Sequence, residues 1–446
     1  MANQIVSKSA ESSFIRRIDI ISNKDPSKSV SIANGTIRLM YYESILQDTI
    51  RATVTFADTG NTIDKKTALE GLPIVGQEKV QIKFEDNNKE ILDLALYINK
   101  VTPLADDTTK SMIQLDLVSK EYILNEKIRL NTRFDGKISD HIRIILTDQN
   151  YLATQKNVDI EETINVYNFI GTNRKPYYAM NWLSKKAIPN IPDAKGNTAG
   201  YFFYETAEGF KFKSIDSMLG QEKKKSIIYN QTPDSRGANI PAGYDAKALD
   251  YSKDNRVDIQ EKLQMGAFST RTVLFDPFNC YYEVLTPNAK VKEKSLILGG
   301  KELPVLNPEF NRSGANKEFS RTTYMLLDTG TLPTGNTGQQ LEKSREENFE
   351  PKDILNQSIM RYNQLYSIKT TITLPGDFSL HAGDAIFIDA PELAPETKNI
   401  SRENGGLYII ADLCHYVSVK ETYTKLNLVR DSFGRIGNHT SGKIPL

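Results

Sequence analysis

A strand grammar that occurs twice, once near each end, limits this chain more than any other feature. Residues 367–432 carry the clearer version. Ile368-Lys369-Thr370-Thr371-Ile372-Thr373-Leu374 alternates apolar and polar residues, the period of a half-buried strand. A Pro375-Gly376 turn follows, then His381-Ala382-Gly383-Asp384 and the apolar run Ala385-Ile386-Phe387-Ile388. After a polar loop with Pro391 and Pro395, Gly405-Gly406 opens Leu407-Tyr408-Ile409-Ile410. The stretch closes on Leu426-Asn427-Leu428-Val429-Arg430-Asp431. Four or so strands of this kind make a small barrel.

The second occurrence lies upstream. Leu96-Tyr97-Ile98 is followed 19 positions later by Leu115-Asp116-Leu117-Val118 (115 − 96). Leu407-Tyr408-Ile409 is followed by Leu426-Asn427-Leu428-Val429 at the same spacing (426 − 407 = 19). Val75-Gly76-Gln77-Glu78 before Val80-Gln81-Ile82 matches Ala382-Gly383-Asp384 before Ala385-Ile386-Phe387. A vaguer match sets Gly35–Phe56 beside Gly266–Leu285. Unrelated strand pairs share apolar patterns by chance, but the equal spacing and shared tetrads favour a duplication. Two copies of one barrel give a subunit with two near-equivalent faces. Three such subunits in a ring would present six similar barrels.

A chain of 446 residues exceeds one ordinary core and predicts several domains. Residues 1–13 read as an N-terminal arm and 14–119 as the first β-barrel domain, with six or seven strands and no long helix. Residues 120–230 read as an inserted α/β domain. In it, Ile138, Ile142 and Ile145 share a helical face that Ser139 or Asp140 caps, and Tyr177–Ala187, with Trp182, forms a helix between Pro176 and Pro189. Tyr201-Phe202-Phe203-Tyr204-Glu205 and Phe210-Lys211-Phe212-Lys213 then form a hairpin around Ala207-Glu208-Gly209. Residues 250–290 and 366–432 are assigned to the second barrel, with Asp254 capping a helix that runs to Gln264. Residues 291–365 are connecting loops, among them the exposed Thr329–Glu350, and a helix from Asp353 to Tyr362; Asn230–Tyr244, after the insert, reads as another exposed loop. Residues 433–446 form an extended tail.

Fifty-six basic and 56 acidic residues cancel, so the excess of positive charge that grips phosphates is missing. Lys223-Lys224-Lys225 is short and reads as a solvated loop. No apolar run approaches the roughly 18 residues of a membrane span, and the N-terminus shows no secretory leader. Cys280 and Cys414 sit in apolar strand-like runs and read as buried thiols in a reducing compartment.

Catalytic patterns are not found. The chain has no phosphate-cradling glycine loop, no dinucleotide fingerprint, no Gly-x-Ser-x-Gly and no His-Glu-x-x-His. His141, His381, His415 and His439 are scattered, without zinc spacing to either cysteine. Cys414 and His415 are adjacent on a strand, so their side chains point to opposite faces. His381 reads as a hydrogen-bonded turn residue. The pairs Asp106-Asp107, Glu161-Glu162 and Glu346-Glu347 carry no glycosidase signal, because such acids converge from separate chain positions. Asp116 and Asp384 lack calcium-loop spacing. No catalytic, cofactor-binding or metal-binding residue is therefore assigned, and no enzyme activity or cofactor is expected.

Three features together resemble the baseplate hub proteins of contractile-tailed bacteriophages, which are related to the spike base of type VI secretion spike proteins. The first is the pattern His381-Ala382-Gly383-Asp384, Gly406-Leu407-Tyr408-Ile409-Ile410, His415 and Leu426 to Ser432. The second is the aromatic hairpin preceded by the Trp182 helix. The third is the order barrel, α/β insert, second barrel, over about residues 14–432. The resemblance implies a mainly β fold with an α/β insertion and two similar β-barrels in tandem. It also implies a homotrimeric, hollow, pseudo-sixfold ring in the virion. Such a ring joins a sixfold tail tube or tube initiator to a trimeric central spike. It contacts baseplate wedge proteins, holds the tape measure protein, and meets DNA only in transit, with no membrane partner. Secretion spikes usually continue into a needle of repeats, and residues up to Leu446 show none, which favours a phage hub. The alternative from the residues, with 21 tyrosines and long loops, is a β-rich carbohydrate-binding or glycan-degrading tail protein.

Overall fold

A computed structural model describes residues 12–60, 66–107, 109–190, 198–229, 240, 243–254, 258–268, 270–276, 281–285, 296–310, 319–326, 351–390 and 405–435. The N-terminal part is all strand apart from short turns of helix: β1 (Phe14–Ile21), β2 (Ser29–Ser31), β3 (Thr36–Ser44), β4 (Arg51–Asp58), α1 (Ala68–Gly71), β5 (Lys79–Glu85), β6 (Ile91–Asp106) and β7 (Ser111–Val118). Alternation in sequence becomes alternation in burial. On β5, Val80, Ile82 and Phe84 are buried while the residues between them are partly exposed.

The next section mixes helices and short strands: α2 (Lys120–Lys127), β8 (Arg133–Phe134), α3 (Ile138–Thr147), β9 (Val158–Ile160), β10 (Phe169–Ile170), α4 (Pro176–Ser184), β11 (Tyr201–Thr206), β12 (Gly209–Ser214) and α5 (Ile215–Gly220). α3 buries Ile138, Ile142 and Ile145 on one face, as their spacing predicts. Its cap differs from expectation. Lys137 takes the N-cap position, and the Ser139 N–H donates to Thr163 Oγ1 at 3.0 Å, so a distant residue supplies the acceptor. Likewise Asn125 Oδ1 accepts the Tyr177 N–H at 2.9 Å at the start of α4. The hairpin β11–β12 is buried on both faces. Tyr201 and Phe203 enter the core of this section. Phe202 and Tyr204 point the other way, onto Ile215, Ala382 and Ile409.

The remaining elements are β13 (Lys225–Ile228), β14 (Ala246–Lys247), β15 (Asp250–Asp254), α6 (Ile259–Met265), β16 (Thr270–Asp276), β17 (Tyr281–Leu285), β18 (Arg321–Leu326), α7 (Pro351–Leu365), β19 (Ile368–Pro375), β20 (Ala385–Asp389), β21 (Gly406–Ser418) and β22 (Thr422–Arg430). Asp258 rather than Asp254 caps α6, because Asp254 is still paired in β15. α6 ends on Gly266 in the left-handed conformation.

Fourteen strands share one sheet, and its hydrogen-bonded path closes no barrel among the described residues. The two strand-rich ends expected as separate barrels are joined because β21 is long enough to seat two partners on one edge. β20 pairs with its first part, Gly406 to Ile409, and β3 with its last part, Asp412 to Ser418. One apolar core accordingly contains Leu39, Val54 and Leu115 together with Ile372, Ile410 and Leu428.

Within this sheet the order β3–β4–β7–β6–β5 is repeated as β15–β19–β22–β21–β20, antiparallel throughout. The registers agree. Ile98 pairs with Leu117, a bulge follows, and Lys100 pairs with Asp116. Ile410 pairs with Leu428, a bulge follows, and Asp412 pairs with Asn427. Two readings from sequence are corrected by this. Ile98 corresponds to Ile410 rather than Ile409, because the bulge and not the Leu-Tyr-Ile lettering sets the register. The counterpart of β3–β4 is β15–β19 and not Gly266–Leu285, whose strands β16 and β17 form a separate sheet with β18.

Candidate functional site

The candidate site is an edge that is filled in one copy and, among the described residues, open in the other. In the second copy, the turn before β20 leaves β21 at Ile410. The Gly383 N–H donates to the Ile410 carbonyl at 2.8 Å, and the Ile410 N–H donates to the Asp384 carbonyl at 2.9 Å. There the chain turns away and β3 takes the vacated edge. The Ile45 N–H donates to the Ala411 carbonyl at 2.9 Å, and pairing runs from Asp412–Ser44 to Ser418–Arg38.

Glu43 locks this internal junction. The residue is 2% exposed and its side chain is fully buried. It accepts from the Tyr41 hydroxyl at 2.7 Å, the Ala207 N–H at 2.7 Å and the Ala382 N–H at 2.8 Å, and it meets His381 Nδ1 at 3.1 Å. One side chain of β3 therefore binds the second copy's turn and the β11–β12 hairpin. Burial alone would raise the Glu43 pKa, but the adjacent His381 and the donated hydrogen bonds hold it below the ordinary value. Burial opposes the charge on His381, yet the Glu43 carboxylate outweighs it and holds that pKa above the ordinary value. Nearby, the Tyr41 ring stacks on His415 at 5.9 Å. His415 is fully buried, which pushes its pKa down to about 4.

The first copy repeats the turn. The Gln77 N–H donates to the Ile98 carbonyl at 2.7 Å, and the Ile98 N–H donates to the Glu78 carbonyl at 3.0 Å. The chain leaves β6 at the equivalent place. From Asn99 onward, no strand among the described residues lies along that edge. Asn99, Lys100, Pro103, Leu104 and Ala105 are exposed. β15, the counterpart of β3, pairs among the described strands with β19 only.

The residues weighed for chemistry are engaged structurally. His381 sits in its turn, where its N–H donates to Asp384 Oδ2 at 2.8 Å. His415 and Cys414 point to opposite faces: the imidazole is buried and the thiol half-buried, pushed up to about 11 by burial. His141 meets the Tyr167 carbonyl at 2.7 Å, far in sequence from both, and its pKa is lowered by burial. Asp116 accepts from Thr53 and Gln114. Glu161 accepts from Ser214. Cys280, His439, Glu346-Glu347 and the side chain of Asp106 lie outside the described residues. Among the described residues no three His, Cys, Asp or Glu converge for a metal, and no helix is long and apolar enough to cross a membrane. In the lysine run, Lys223 and Lys224 are exposed and lie outside any helix or strand, as a solvated loop requires, and only Lys225 belongs to a strand. Lys225 opens β13 and pairs with Asp377, Lys224 pairs with Asp384 at 2.8 Å, and Lys223 lies over the Phe387 ring. Neighbouring acids in the second copy hold Lys224 and Lys225 there.

Sequence reasoning did not single out Glu43. Its signal was present, since Leu39, Tyr41 and Glu43 share one parity of a strand and so one buried face. A charge at a buried position predicts fixed partners.

No protein-family model matches the chain, and no curated protein sequence matches it. Solved structures do. A tail protein from Neisseria meningitidis MC58 is 8% identical, with a TM-score of 0.50 over 93% of this chain and 96% of that one. The 43 kDa tail protein of prophage MuSo2 from Shewanella oneidensis is 9% identical, with a TM-score of 0.51 over 93% of this chain and 98% of that one. The chain thus shares its fold with phage tail proteins, the resemblance that its strand motifs carry.

Proposed function

We propose that the chain is a structural virion protein, the homotrimeric baseplate hub of a contractile tail. In this role three chains form a hollow ring that joins the sixfold tail tube, or its initiator, to a trimeric central spike. Wedge proteins surround the ring, and the tape measure protein and then DNA pass through it. The chain acts by assembly rather than catalysis. It is placed in the tail baseplate and assembles in the host cytoplasm.

The observation that carries this reading is the repeated strand order with matching bulges, in which one copy's edge strand, β3, sits on the other copy's β21. A head-to-tail contact of this kind repeats around a ring when the rotation closes. Two copies per chain let a threefold ring approximate six equivalent positions, which a joint between a sixfold tube and a threefold spike requires. The fold shared with phage tail proteins supports the same setting.

Light scattering and electron micrographs of the purified chain, alone and with its trimeric spike, test the reading. Threefold rings with a central hole are expected. Monomers under both conditions would overturn it, and monomers that bind soluble glycans would favour the carbohydrate-directed alternative.

A further inference from the structure

We propose that His381 is a proton-operated latch. With both ring nitrogens protonated it holds the turn between β11 and β12 on the internal junction, and loss of one proton loosens that turn. The inference is independent of the ring reading and rests on the groups that meet the imidazole.

Three segments distant in sequence converge there. His381 Nδ1 meets Glu43 Oε1 of β3 at 3.1 Å, and Nε2 meets Glu208 Oε1 of the β11–β12 turn at an ion-pair distance of 3.7 Å. Both ring nitrogens therefore face carboxylate oxygens, and the two acids come from different elements. A neutral ring has one N–H and would aim the lone pair of its other nitrogen at a carboxylate. The imidazolium offers an N–H to each acid. The turn leans on the same cluster a second time, since the Ala207 N–H donates to Glu43 Oε1 at 2.7 Å.

The other charges around the ring answer one another. Lys224, just before β13, pairs with Asp384 Oδ2 at 2.8 Å, and that oxygen also accepts the backbone N–H of His381. Lys211 of β12 pairs with Glu208 Oε2 at 2.8 Å and reaches Asp159 of β9 at 3.5 Å. Glu43 also accepts from the Tyr41 hydroxyl and the Ala382 N–H, but its one cationic partner among the described residues is His381. Without that proton, Glu43 is a buried carboxylate with no counter-charge. Undocking the turn lets water reach it, so the docked state loses its advantage.

The direction with pH follows. Burial disfavours charge on the ring, but Glu43 outweighs it, so the docked protein keeps the proton above the ordinary histidine value. Docking is therefore firmest below about pH 6.5 and weakens as pH rises through the folded value. Glu43 and the buried His415 of β21 titrate below that range. Against partial burial, Glu208 and Lys211 hold each other's charge, which lowers the first and raises the second. Burial lifts Tyr41 and the neighbouring Tyr204 of β11 above their ordinary value.

The test is hydrogen exchange of the full chain at about pH 6 and about pH 9, expressed as protection factors so that the intrinsic pH dependence cancels. Protection at the β11–β12 turn should fall by about tenfold between the two, the scale of one hydrogen bond to a charged group. No matching fall is expected along β5. His381→Gln cannot exchange the proton, and its turn should respond equally little at both pH values. Glu208→Gln changes a half-exposed side chain and should lower the titration midpoint of the His381 ring, followed by imidazole NMR. An equal pH response in the parent chain and His381→Gln would overturn the latch. A His381 midpoint that Glu208→Gln leaves in place would overturn it as well, and this arm decides the matter if His381→Gln does not fold.

Discussion

Gln77 and Gly383 occupy the same place in two copies of one turn. Each has a positive φ, +69° and +86°, and each donates its N–H to the residue before a bulge, Ile98 or Ile410. Their surroundings differ. A Cβ on Gly383 would be driven into the Tyr204 hydroxyl of the hairpin. Gln77 has no such neighbour requirement and carries only the left-handed strain of an L residue, about 1 kcal/mol. Gln77→Gly should raise stability by about 0.5 kcal/mol after the added entropy of the unfolded chain is subtracted. Gly383→Ala should lower it by about 3 kcal/mol through strain and overpacking. Chemical denaturation of the two variants checks both signs.

Glu43→Gln tests the internal lock. The substitution keeps the shape but turns one oxygen into a donor that faces donors, and it removes the charge that His381 answers. A loss of about 3 kcal/mol is expected. Amide hydrogen exchange should rise first along β3 and β21, where the two copies meet. Unchanged protection there would mean that strand pairing alone holds the junction.

How far the fold was legible depended on where its information lies. Strands with strict alternation, such as β4, β5 and β19, were readable because each buries one face. The hairpin and the helices α3 and α4 were readable from period, proline and turn signals. The repeat was visible, but its register was off by one residue on β21. Letter matching cannot see the bulge between Ile410 and Asp412, which depends on hydrogen bonds to a distant strand. The union of the two ends into one sheet was not legible either. It depends on the length of β21 and on β3 pairing with a strand more than 360 residues away (412 − 44 = 368). Glu43, the residue that fixes this union, was legible in parity and went unremarked among more ordinary acids.

His415 gives a pH prediction. Its folded pKa is about 4, against about 6.5 in an unfolded chain. As pH falls, the unfolded state takes the proton first. Stability contributed by the neutral ring is therefore full above about pH 6.5 and is lost as pH falls toward 4, by about 3 kcal/mol in all. His381 has the opposite sign. Its raised pKa gives a contribution that is full below about pH 6.5 and is lost as pH rises through the folded value. His415→Gln should flatten the fall in stability between pH 6.5 and 4.5 relative to the parent chain, measured by denaturation at a series of pH values. An identical slope in both proteins would contradict the assignment.

Arg361 on α7 gives the largest expected effect of a single charge. Its guanidinium is fully buried and donates to Asp431 Oδ2 and Asp216 Oδ1, each at 3.0 Å, and to the Ile297 carbonyl at 3.1 Å. It thus ties α7 to α5 and to the segment that follows β22. Arg361→Met would leave two buried carboxylates facing each other without a cation, at a cost of about 3–5 kcal/mol. Arg361→Lys keeps the charge but not the planar fork that reaches two acids at once, so it should cost roughly half as much. The triple variant Arg361→Met, Asp216→Asn, Asp431→Asn removes the charges together and should recover part of the loss seen in Arg361→Met alone. Denaturation midpoints of these proteins and of the single variants Asp216→Asn and Asp431→Asn decide the matter. If the triple variant is weaker than Arg361→Met by the sum of separate losses, the three side chains contribute through packing and not as a coupled charge cluster.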